Sequence, residues 1–326
     1  MSFRIVATPL FAMALAGISG CQTAPESEPE SSAADEVGAV SSSLGSTGTD
    51  PFGVRGLYPT AWGGREWYLP SNADVPNAEW QPGTAVSALG GGVFHVTNAP
   101  RMMVVSPTGK AWWRNVEMTT YVRERGTNTF YPDQVPHWTM FARGEQHNND
   151  FISATKINAG VLAPAGTATW PGYPFAGATS LDHACLASCY HGLFYPTGKV
   201  LFEKEITHTE GYSGAYGQTT VPNLVSPLNR WVGLKYVVRN EAGNTKVKTE
   251  MWIDANATGN WVKASEAEDA SNWYAGTTTL NGCGATPFNY KQNQVVTWAG
   301  PWASFRSDDL DYDFKWLSVR EVAPLP

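Results

Sequence analysis

Between Trp113 and Glu124 the side chains alternate in character. Val116, Met118, Thr120 and Val122 fall on one side, and Asn115, Glu117, Thr119 and Tyr121 on the other. A period of two is that of an extended strand with one face turned to a core. Val135–Arg143, Arg230–Asn240, Thr245–Asp254 and Asp311–Val322 read the same way. Glu241-Ala242-Gly243-Asn244 joins two of these runs as a hairpin loop. No segment keeps a 3.6-residue period over four turns, which argues against helical bundles, coiled coils and doubly wound α/β folds. The 32 Gly and 22 Pro punctuate turns, and 14 Trp, 13 Tyr and 13 Phe suit pleated, half-buried surfaces. Two long antiparallel sheets packed face to face are the simplest all-β architecture for such a chain. Loops at 70–90, 158–182 and 268–294 are long enough to be expected around a binding groove.

The N-terminus reads differently. Arg4 followed by the short apolar run Ile5–Gly17 has the form of an export signal, too short to span a membrane as a helix. Ile18-Ser19-Gly20-Cys21 resembles a bacterial lipobox, which implies removal of residues 1–20 and a lipid on Cys21. Gln22 after that cysteine is compatible with the outer membrane. Residues 21–50 carry Glu26, Glu28, Glu30, Asp35, Glu36 and Asp50, no basic residue and many Ser, and read as a disordered tether. Residues 51–326 read as a single folded domain. Setting Arg4 and those six acids aside leaves 21 basic and 23 acidic residues, so the overall charge of −7 belongs mostly to the tether. No Lys/Arg-rich run is present, and nucleic acid is not an expected partner. Membrane association is expected through the lipid alone.

Cys185, Cys189 and Cys283 lie in the folded part, and export favours a disulfide. Cys185 and Cys189 are too close in sequence to pair comfortably. A Cys185–Cys283 bond with Cys189 buried and reduced is preferred, Cys189 being the alternative partner. His183 and His191 could join the cysteines around zinc, but no CxxC knuckle is present and a metal site is not expected.

The stretch from about 110 to 326 resembles a group of secreted bacterial and archaeal proteins with a concanavalin-A-like jelly roll. Met251-Trp252-Ile253-Asp254, Asn260-Trp261-Val262-Lys263, Gly282-Cys283-Gly284 and Trp298-Ala299-Gly300-Pro301 carry the likeness. So do Ser304-Phe305-Arg306-Ser307-Asp308 and Asp313–Glu321, and upstream Arg143–His147, Tyr190-His191-Gly192 and Lys204–His208. The resemblance implies a polysaccharide partner, engaged by a lectin, a glucanase or a polysaccharide lyase. The Glu-x-Asp-x-x-Glu pair of the glucanases is missing; Glu250 and Asp254 share a spacing of four but read as a strand end.

A lyase acting on a uronate needs cations to neutralise the carboxylate and Tyr or His to move protons. Arg143 with His147, and Lys204 with His208 and Tyr212, recur every four residues, so an unbroken strand puts each set on one face. With Tyr190 and His191 they form the candidate catalytic set. Their convergence in one cleft favours β-elimination, and their dispersal favours a non-catalytic carbohydrate-binding or structural surface lipoprotein. Trp62, Trp67, Trp80 and Trp170 lie in Gly/Pro-rich segments and are candidate sugar platforms. No cofactor is expected beyond a structural Ca²⁺ weighed at Asp308, Asp309, Asp311 and Asp313. Asp254–Gly259 reads as a hairpin turn and not as a calcium loop.

Overall fold

The computed structural model describes residues 48–69, 78–81, 85–97, 99–105, 113–128, 134–144, 188–207, 211–276, 280, 283–284, 289–300 and 302–325. All lie in one compact unit, Leu44–Pro326. Among the described residues fifteen strands follow in order: β1 (Glu66–Tyr68), β2 (Ala78–Gln81), β3 (Val86–Gly90), β4 (Val93–Val96), β5 (Arg101–Val105), β6 (Val116–Thr127), β7 (His137–Gly144) and β8 (Cys189–Phe194). Then come β9 (Lys199–Glu205), β10 (Tyr216–Thr220), β11 (Val232–Asn240), β12 (Val247–Asp254), β13 (Val262–Asp269), β14 (Trp302–Asp308) and β15 (Leu310–Glu321). They form an eight-stranded sheet, β13-β12-β11-β6-β15-β4-β3 with β1 also on β15, and a seven-stranded sheet, β10-β9-β8-β7-β14-β5-β2. Every strand pairing is antiparallel. The chain is an all-β sandwich of two antiparallel sheets, the architecture expected from the sequence.

The alternation decides which faces meet. Val116, Met118 and Val122 of β6 and Leu234, Tyr236 and Val238 of β11 turn inward from the larger sheet. They meet Trp138, Met140 and Ala142 of β7 and Tyr190 and Phe194 of β8. Phe202 stacks on Tyr236 at 6.1 Å, and Trp138 meets Tyr312 edge-on at 5.8 Å. Burying one such aromatic ring contributes about 1.5–3 kcal/mol, so these rows outweigh any single polar contact at the surface. The hairpin between β11 and β12 forms around Ala242–Asn244, with Asn240 opposite Val247. Asp309 alone separates β14 in one sheet from β15 in the other, with φ 55°. Asp tolerates this left-handed conformation better than most residues.

The outer face of the eight-stranded sheet is covered by the segment before β1. Leu57 and Tyr58 donate their backbone N–H groups to the Glu117 carboxylate, at 3.0 and 3.2 Å. Phe52 stacks on Trp316, with ring centroids 6.3 Å apart. Glu117 also takes Lys235 at 2.7 Å and Arg320 at 2.9 Å. Burial opposes its ionisation, but Lys235 and Arg320 win and hold the carboxyl below its ordinary value.

Candidate functional site

The residues expected to form a catalytic cleft divide between the two faces of the seven-stranded sheet. Arg143, Tyr190 and Lys204 do come together, but inside the sandwich, and all three are fully buried. Lys204 on β9 pairs with Asp269 on β13 at 2.7 Å, joining one sheet to the other. The Tyr190 hydroxyl donates to the same Asp269 oxygen at 2.7 Å and accepts the Val296 N–H at 3.2 Å. Arg143 has φ 61°, and its side chain lies near the Tyr190 ring, 5.7 Å from the centroid. Its guanidinium donates to the carbonyls of Arg114 and Val296. Burial pushes Arg143 down to about 10, so it stays charged at neutral pH. Burial and then Asp269 push the Tyr190 hydroxyl up, which keeps its proton on. These cations are spent on internal acceptors. Among the described residues they form an internal polar cluster, with His147 and His208 not among those residues.

His191 occupies the opposite face of β8. Register puts Cys189 across from Glu205 and His191 across from Glu203 and Phe141. Cys189, His191 and Glu205 therefore share one outer face at adjacent and diagonal positions. Cys189 Sγ lies 2.9 Å from His191 Nε2 and 3.6 Å from Glu205 Oε2. His191 Nε2 lies 3.4 Å from the same Glu205 oxygen. Cys189 and Glu205 are fully buried and His191 is 4% exposed. Tyr212 packs edge-on against His191 at 5.6 Å. Burial first, and then Glu205, which it hydrogen-bonds, push the Tyr212 hydroxyl well up.

A third arrangement is open to solvent. Trp62, Arg65, Arg114, Asn115, Glu321 and Pro324 line a groove of about 300 Å³ beside the start of β6 and the end of β15. Trp62 is fully exposed. Arg65 pairs with Glu321 at 2.9 Å across the groove floor. The buried Arg143 reaches this site indirectly. Its Nε holds the Arg114 carbonyl at 2.6 Å, and Asn115 Oδ1 accepts the Asn240 N–H at 2.7 Å. Arg143 is thus a positioning residue for the groove wall.

Of the sugar platforms expected, Trp62 is presented to solvent. Trp67 is half-buried and packs against the core beside β15. Cys21, His147, Trp170, Cys185 and His208 lie outside the described residues, as does the Trp80 side chain. Cys189 is a buried thiol outside any disulfide, whereas Cys283 is disulfide-bonded. The Asp308 carboxylate is taken by Arg306, and that of Asp313 by His95 at 3.0 Å and Arg125 at 2.7 Å. Among the described residues, Cys189, His191 and Glu205 are the group of His, Cys and carboxylate ligands whose atoms lie within 4.8 Å of one another. Asp254 caps its own turn through the N–H groups of Thr258 and Gly259, as a hairpin turn requires. The spacing of two between Cys189 and His191 is the signal that could have placed them on one strand face. Glu205 carried no signal until the β8–β9 register was fixed.

No protein-family model and no curated protein matches the chain. Among solved structures it is similar to a protein of unknown function with a galectin-like fold from Bacillus subtilis. That likeness is 10% identical over 71% of this chain and 83% of that one, with a TM-score of 0.35. Lectin II from Ulex europaeus is 9% identical over 78% of this chain and 97% of its own, with a TM-score of 0.37. Peanut lectin is 10% identical over 78% and 97%, with a TM-score of 0.36.

Proposed function

We propose that this protein is a non-catalytic glycan-binding module, held at the cell envelope through a lipidated Cys21. The observation that carries this reading is Trp62: a fully exposed indole at the rim of a groove whose wall is polar. An indole face stacks on the apolar C–H face of a pyranose, while Arg65, Arg114 and Glu321 offer hydrogen bonds to its hydroxyls. The groove carries two arginines against one carboxylate, which suits a neutral or an acidic sugar. The finer reading, cleavage of a uronate-containing glycan, draws no support from Arg143, Tyr190 and Lys204. Inside the sandwich Lys204 is paired with Asp269 and Arg143 is hydrogen-bonded to backbone carbonyls, and a tyrosine that holds its proton this firmly is a poor general base.

The full-length chain, titrated against a panel of neutral and uronate polysaccharides, tests both readings. Binding without any rise in the ultraviolet absorbance of an unsaturated uronate is expected. Trp62→Ala should weaken that binding about tenfold or more with the far-ultraviolet dichroism unchanged. An absorbance rise with time would instead establish the lyase.

A further inference from the structure

We infer that Cys189, His191 and Glu205 form a binding site for a divalent transition-metal ion of zinc-like preference. The inference does not depend on the glycan reading. Two chemistries suit a cysteine, a histidine and a glutamate in contact: a nucleophile relay or a metal ligand set. A relay needs the thiol on one ring nitrogen and the carboxylate on the other, so that the acid orients the base. Here Cys189 Sγ and Glu205 Oε2 both face His191 Nε2, at 2.9 and 3.4 Å. The three donor atoms converge on one point, which is the geometry of ligands and not of a relay.

The distances agree with that assignment. Tetrahedral zinc with Zn–S about 2.3 Å and Zn–N and Zn–O about 2.0–2.2 Å separates sulfur from oxygen by about 3.6 Å and nitrogen from oxygen by about 3.4 Å. The corresponding separations are 3.6 Å and 3.4 Å. The sulfur–nitrogen edge, 2.9 Å, is that of a thiol–imidazole hydrogen bond. It has to open by roughly 0.6 Å when a metal takes the proton's place. The charges also balance. A thiolate and a carboxylate carry two negative charges, and neutral imidazole adds none, so a divalent ion leaves the buried group neutral. Sulfur, nitrogen and oxygen donors together favour zinc over calcium or magnesium. Tyr212, hydrogen-bonded to Glu205, would serve that carboxylate as an outer-shell partner.

The test uses the full-length chain, stripped with a chelator and then loaded with Zn²⁺ or Co²⁺. One metal per chain is expected, with a thiolate-to-cobalt charge-transfer band in the near ultraviolet and tetrahedral ligand-field bands in the visible. Zinc absorption fine structure on the unmutated chain should show a single sulfur at about 2.3 Å among nitrogen and oxygen neighbours. Because binding displaces the thiol proton, affinity should rise about tenfold per pH unit while the thiol is protonated. Cys189→Ser should abolish the charge-transfer band, and Glu205→Gln should weaken binding with the band retained. Failure to retain metal, a shell of nitrogen and oxygen alone, or a shell with two or more sulfurs would overturn the assignment. So would a charge-transfer band that survives in Cys189→Ser.

Discussion

Lys204 shows how a single side chain is read wrongly when spacing is considered without its neighbours. Lys204 and His208 are four apart, which suggests a shared, accessible face. Yet Phe202 and Ile206 flank Lys204 at the same parity and both are fully buried. That alternation already placed Lys204 inward, as Gly192 and Phe194 placed Tyr190. Arg143 was not legible. Met140 and Ala142 turn inward, so Arg143 belongs outside by parity, and its left-handed backbone reverses that. Lys204 and Asp269 compensate each other in a dry interior, so removing one member leaves a buried charge. Lys204→Met should cost about 3–5 kcal/mol of unfolding free energy, measured by urea denaturation. Adding Asp269→Leu should recover much of that loss; no recovery would mean that the pair is not the source of the stability.

At the level of elements, hairpins announce themselves and sheet assembly does not. The β11–β12 hairpin was legible because its turn residues are local and the flanking strands alternate. The junction of β14 and β15 was not, because one continuous stretch of alternating residues changes sheets at Asp309. Close packing between strands is also invisible in the sequence. A Cβ added at Gly192 would lie 2.5 Å from the Tyr236 ring, a contact that real side chains do not make. Tyr236 is fully buried and stacked on Phe202, so it has nowhere to go. Gly192→Ala should therefore destabilise the fold by about 1–3 kcal/mol through overpacking. Equilibrium unfolding checks this, and an unchanged midpoint would show that the two sheets are less tightly apposed at β8 and β11.

For the whole molecule, the architecture was legible and the site was not. Period-two patterning fixes which faces become the core, whereas the Trp62 groove is assembled from a loop, a strand start and a strand end far apart in the chain. The buried charges make a further prediction about pH. Burial opposes ionisation of Asp313, but His95, Arg123 and Arg125 hold it below its ordinary value, as Lys235 and Arg320 do for Glu117. Both carboxylates contribute stability that is present above the unfolded values near 4 and is lost as pH falls through the lower folded ones. His137 acts earlier. Burial holds its imidazole below the usual value against the pull of Asp308, so the unfolded chain takes up that proton first. Stability should begin to fall below about pH 6.5 and fall more steeply below about 4. Urea midpoints across pH check the curve, and His137→Gln should flatten its upper part. The most direct test of the central claim, that the glycan binds at the Trp62 groove while the Tyr190–Lys204–Asp269 cluster only holds the sheets together, is to measure glycan affinity and melting temperature side by side in Trp62→Ala and Lys204→Met. Trp62→Ala should lose affinity at an unchanged melting temperature, and Lys204→Met should melt on the order of 10 °C lower while binding normally below that transition. The reverse pattern, with binding lost in folded Lys204→Met and kept in Trp62→Ala, would place the glycan at the internal cluster and contradict this account.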